Sequence, residues 1–180
     1  MSGHERTAAL AAALAKGERA QLARFDLSRY DLAKTILIKA NLYSVKMIET
    51  NLAEADLSWA NLILANLTGA DLTGANLSST NLTGADLTGA NLSRANLTGA
   101  NLYMTHLTGT NLSRANLTGA NLTGVDLTGA DLTGANLTRT NLTGADLTGA
   151  DLTGAVLTKV ILIETKMSSI KFRRNDLAAA

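Results

Sequence analysis

A large apolar residue recurs at every fifth position of this chain, from Leu22, Leu27 and Leu32 through Leu157 and Leu162 to Leu177. Met47, Met167 and Phe172 stand in for leucine, and residues 20 to 179 keep the cadence without a slipped position. A spacing of five fits neither the 3.6-residue period of a helix nor the two-residue period of a strand. Two residues before the centre lies a small residue, alanine in most units and otherwise threonine or valine, with Phe25, Tyr30, Ile170 and Asn175 at the ends. In extended backbone, residues two apart point the same way, so the centre and the small residue both face inward. The other three positions face out. Glycine two residues after the centre, as at Gly69, Gly74 and Gly84, suits the positive backbone dihedral of a type II turn. Each pentad is therefore predicted to be a short strand and a corner. Because each unit buries its apolar side only against its neighbours, the unbroken period predicts a solenoid.

The unit Ala-Asn/Asp-Leu-X-X resembles the pentapeptide-repeat family, and the resemblance covers residues 20 to 179. It implies an all-β solenoid, a right-handed quadrilateral β-helix with four pentads per turn. On that geometry 32 pentads make about eight coils, a rod roughly 38 Å long at about 4.8 Å per coil. Residues 20–180 would form the repeat domain and residues 1–19 a cap. Ser2 and Glu5 have capping-box spacing, Leu10 and Leu14 lie one helical turn apart, and Gly17 suits a helix end. A short helix over Gly3 to Lys16, lying across the first coil, is the expectation. At the other end the period degrades through Lys166-Met167 and Lys171-Phe172, and no capping helix follows. An open β-helix end is a pairing surface. Phe172, Arg173, Arg174 and Leu177 are the candidates for a homodimer contact there, as the resemblance to dimeric family members implies.

Composition narrows the chemistry. There is no cysteine, which removes disulfides and thiolate sites. There is no proline, which fits a backbone that donates hydrogen bonds along its length. Sixteen basic against fifteen acidic residues leave a net charge of +1, so charge does not point to direct nucleic-acid binding. No apolar run is long enough to span a membrane, and Ala8 to Ala15 does not make a convincing signal peptide, so a cytoplasmic location is expected. His4 and His106 lie in different contexts, so neither a metal cluster nor a base–nucleophile pair is visible. The glycines follow the turn period and not a phosphate cradle. No catalytic residue, metal or cofactor is expected.

With four pentads per coil, residues twenty apart stack on one face. The slot before each centre then gathers carboxylates on two adjacent faces: Asp86, Asp126 and Asp146 on one, Asp71, Asp131 and Asp151 on the next. A third face, all asparagine in that slot from Asn41 to Asn141, carries an apolar strip at outward positions. Tyr43, Ile63 and Tyr103 follow its centres, Leu64 and Met104 follow those, and Trp59 sits at the adjoining corner. Aromatic and methionine side chains clustered at a surface mark an interface.

The expectation is a non-catalytic interaction protein, a rigid rod offering fixed side chains to a protein partner. Resemblance implies the same, since many family members, especially in cyanobacteria, have no other known activity. The first alternative, drawn from family members that resemble B-form DNA, is binding to DNA gyrase through the acidic faces; the basic ends oppose it. The second is ice binding through stacked threonines such as Thr88, Thr108 and Thr128.

Overall fold

The computed structural model describes residues 19–173. Isolated parallel bridges pair each residue before a centre with the one twenty further on, from Gln21 with Asn41 to Asp151 with Lys171. One turn of the solenoid is thus four pentads. The four faces, numbered in chain order, begin with the centres Leu22, Leu27, Leu32 and Leu37. Each face ends in a corner two residues after its centre. The helix expected over residues 3–16 lies outside the described residues.

The hydrogen bonds of one pentad show why five residues suffice. Asn61 N–H reaches back to the Ala40 carbonyl at 2.9 Å. Leu62 N–H donates forward to the Asn81 carbonyl at 2.8 Å, and Leu64 N–H to the Thr83 carbonyl at 3.1 Å. Ala65 N–H closes the corner on the Leu62 carbonyl at 3.0 Å. That leaves Ile63 N–H, which donates to the Asn61 side-chain oxygen at 3.2 Å. Every buried backbone donor must find an acceptor, and the fifth donor finds it in the residue before the centre. This is why that slot holds asparagine or aspartate: either supplies the oxygen, two residues back, that an Asx turn requires.

Inside, the centres and small residues form one continuous column. Leu62, Leu67, Leu72 and Leu77 are fully buried, as are Ala55, Ala70 and Ala75. Thr50, Thr80, Thr105, Thr110 and Thr140 replace alanine and are buried too, each with its hydroxyl capping a carbonyl one coil below. Thr50 donates to Leu27 at 2.8 Å, Thr80 to Leu57 at 2.8 Å and Thr105 to Leu82 at 2.9 Å. The Leu57 carbonyl already accepts Ala60 N–H at 3.0 Å, so threonine takes the second lone pair. The hydroxyl is buried without an unsatisfied group.

All corners of the described residues adopt φ between 53° and 71°. Glycine occupies thirteen of them and other residues eighteen, so the left-handed conformation is imposed by the coil and not by glycine. A side chain placed there leans toward the next coil. Leu64 lies against Gly84 and Met104 against Gly124.

The two ends differ. The first coil's centres, Leu22 to Leu37, are at most 2% exposed, whereas Leu162, Met167 and Phe172 are 38–44% exposed.

Candidate interaction surface

The strip is built by the corners more than by the faces. Trp59, Leu64 and Met104 are 64%, 54% and 55% exposed, and Tyr103 is 40% exposed. Tyr43 and Ile63, expected to face outward with them, are only partly exposed. The residue after a centre lies flat on the face, where its equivalents twenty residues away cover its sides; a corner residue projects from a vertex. The Arg24 guanidinium sits 6.0 Å from the centre of the Tyr43 ring, within cation–π range.

Trp59, Leu64 and Met104 combine two features that cost stability. Their φ values of 61°, 57° and 54° are uncommon for bulky residues. Their side chains also remain largely in water. Neither feature helps the coil, since Gly84, Gly124 and Gly144 occupy the same column as Leu64 and Met104 without loss of register.

The acidic faces are different in kind. Asp71, Asp86, Asp126, Asp131, Asp146 and Asp151 are all half-buried, and each carboxylate acts as the Asx acceptor of its turn. Thr73 N–H meets Asp71 at 3.0 Å, Thr128 N–H meets Asp126 at 2.9 Å and Thr133 N–H meets Asp131 at 2.8 Å. Thr148 N–H and Thr153 N–H meet Asp146 and Asp151 at 3.0 Å. Bonds from the Thr128, Thr148 and Thr153 hydroxyls, with those N–H groups, hold Asp126, Asp146 and Asp151 below the ordinary carboxylate range. Burial pushes Asp86 up, but the Thr88 hydroxyl and N–H and the nearby His106 outweigh it and leave the group lowered. The sequence reading took these residues as a charge pattern and missed their structural task. The available signal was that asparagine fills the same slot on every face. His106 lacks that oxygen, and Thr108 turns its hydroxyl to Asp126 at 3.0 Å instead.

Among the described residues no group of three or more His, Asp or Glu side chains is placed to hold a metal ion, and no helix is long and apolar enough to cross a membrane. At the C-terminal end Phe172 and Arg173 are exposed; Arg174 and Leu177 lie outside the described residues.

The pentapeptide-repeats family model matches residues 50–89, 75–114, 95–134 and 135–174. The chain belongs to the pentapeptide-repeat family. Among solved structures it is similar to HetL, a pentapeptide-repeat protein involved in heterocyst differentiation regulation from the cyanobacterium Nostoc sp. strain PCC 7120. That match has 29% identity and a TM-score of 0.68 over 95% of this chain and 92% of HetL. It is also similar to a pentapeptide-repeat protein of the Arabidopsis thaliana thylakoid lumen, with 35% identity and a TM-score of 0.52 over 53% of this chain and 66% of the other. No curated protein matches the sequence. The family and the solenoid are therefore those expected from the five-residue cadence.

Proposed function

We propose that the protein is a non-catalytic interaction rod, a right-handed coil of about eight turns whose apolar corner strip docks a protein partner. One observation carries this reading. Trp59, Leu64 and Met104 place bulky apolar side chains in water and in left-handed backbone, at corners where glycine serves the fold as well. HetL, similar along nearly its whole length, takes part in regulating differentiation, a role that contact alone can fill. The acidic faces support the gyrase alternative poorly, because their carboxylates are committed to backbone turns and alternate with asparagine.

The test replaces Leu64→Gly, Tyr103→Thr and Met104→Gly together. Capture of partners from a host lysate should be lost while the melting temperature stays nearly constant. Unchanged capture by a folded triple variant would refute the strip as the docking surface.

The same reading takes the exposed end formed by Leu162, Met167 and Phe172 as a self-association surface. A two-fold contact uses one patch twice and buries both open ends at once.

A further inference from the structure

The net charge of +1 conceals a division across the rod. The second and third faces, with the corner between them, carry nine acidic against five basic residues among those described. The fourth and first faces, with the three corners that bound them, carry eight basic against three acidic. The apolar strip lies on this basic side.

Four of the cations there, Arg94, Arg114, Arg139 and Lys159, have no counterion among the described residues. Three other cations are paired with a carboxylate one coil away: Arg29 with Glu49 at 2.9 Å, Lys34 with Glu54 at 3.6 Å and Lys166 with Asp146 at 3.2 Å. On the basic side Arg94 stacks below Arg114, and Arg139 below Lys159, like sign on like sign across one coil spacing of about 4.8 Å. Arg94 and Arg114 edge a shallow groove on the third face with Ser93, Asn111, Ser113 and Asp131, and the serine hydroxyls make no hydrogen bond there. Between the two cation pairs the fourth face is neutral, with Asn96, Asn116 and Asn136 in its variable slot. Arg139 stands in the same corner column as Trp59, at the vertex next to the one that carries Leu64 and Met104.

We propose that the occupant of this side is an acidic protein segment, with apolar anchors for the strip and carboxylates for Arg94, Arg114, Arg139 and Lys159. This rests on the interaction reading above and adds the partner's chemistry. Like charges left unpaired on adjacent coils repel, and a carboxylate-bearing partner relieves both pairs at once. A second copy of the chain fits less well. Among the described residues its acidic side has its exposed large apolar residues near the two ends, Tyr30 at one and Met167 and Phe172 at the other, with Ile48 only partly exposed, which offers no row matching the strip.

The experiment uses two dye-labelled synthetic peptides of equal length and identical leucine and tryptophan spacing, one with glutamate and one with lysine between the anchors. Their binding to the full chain is measured by anisotropy. The glutamate peptide should bind, and its affinity should fall ~tenfold or more between about 50 and about 500 mM salt as screening shortens to a few ångströms. The change Arg94→Gly, Arg114→Gly, Arg139→Gly, Lys159→Gly should weaken it by a similar factor of about ten at low salt, and glycine is already native to these corner columns. The lysine peptide should not bind. Equal binding of both peptides, no binding of the glutamate peptide, or unchanged binding by the four-cation variant overturns the inference. So does wild-type self-association at low salt that the four-cation variant abolishes, since the occupant is then a second copy. Undiminished glutamate-peptide binding by the Leu64→Gly, Met104→Gly variant instead refutes the strip and leaves the charge assignment standing.

Discussion

Leu62 and Leu64 lie two residues apart on one pentad, and the structure gives them opposite energetic roles. Leu62 is fully buried in the leucine column between Leu42 and Leu82. Truncation to alanine removes buried methyl groups and leaves a cavity, which costs about 2–5 kcal/mol in packed cores. At about 2–4 °C per kcal/mol for a chain of this size, the melting temperature should drop by roughly 4–20 °C. Leu64 is mostly in water and left-handed. Its replacement by glycine relieves about 1–2 kcal/mol of backbone strain, set against about 0.5–1 kcal/mol for the freedom that glycine loses on folding. The contact with Gly84 is given up besides, so stability should hold within about 1 kcal/mol, with the strain relief favouring the variant. Circular dichroism reports the whole coil, and the fluorescence of Trp59, the only tryptophan, reports the neighbouring corner. In a solenoid each coil is supported mainly by its neighbours, so the Trp59 signal of Leu62→Ala should melt at or below the global transition. Comparable losses for Leu62→Ala and Leu64→Gly would refute the inward and outward assignments. A large loss for Leu64→Gly alone would show that the strip is covered by the protein itself.

Three further outcomes follow from the hydrogen bonds and the open end. Asn96→Ala removes the acceptor of Thr98 N–H and should cost about 1–3 kcal/mol, whereas Asn96→Asp keeps the oxygen and should be near neutral; equal losses in thermal melts would disprove the Asx role. Asp126, Asp146 and Asp151 have lowered pKa values in the folded state, so their stabilisation is present above about pH 4 and is lost as pH falls through the lowered values. Melts across that range should show an acid-induced fall that the three Asp→Asn changes flatten, and an unaltered fall would remove these groups as its source. Phe172→Glu should convert a dimer to a monomer in sedimentation at tens of micromolar, while a wild-type monomer at that concentration would end the self-association reading.

How much of this was legible in the sequence depends on the kind of force involved. Burial repeats with the coil, so the leucine and alanine positions disclose the inward pair and the turn length directly; Leu97 and Ala95 are fully or almost fully buried. Backbone conformation was legible at Gly69 or Gly74, but Arg94 and Trp59 adopt the same dihedral without advertising it, because the ladder on either side imposes it. Hydrogen bonds were harder to read. Asn61 and Asp131 look like surface polarity in one dimension, and only the fold shows that each holds the one N–H which neither adjacent coil can reach. Exposure was misjudged at Tyr43 and Ile63 for a related reason, since stacking twenty residues away covers a flat face but not a vertex.

The division of labour within the pentad also explains where function has room to act. Centre, small residue and Asx slot are each fixed by a packing or hydrogen-bond requirement, and departures such as His106 disturb a local bond. The corner has no side-chain requirement: its N–H is held by the next coil and the following N–H by the centre carbonyl of its own pentad, whether glycine, arginine or leucine stands there. Corners are thus the positions at which this coil can change chemistry at low cost in stability. Trp59, Leu64 and Met104, and the unpaired Arg94, Arg114, Arg139 and Lys159, all occupy corners. A scaffold that repeats everything else and varies its vertices sets side chains at multiples of about 4.8 Å along fixed edges, a geometry suited to matching an extended partner and unsuited to converging unlike groups on one reacting atom.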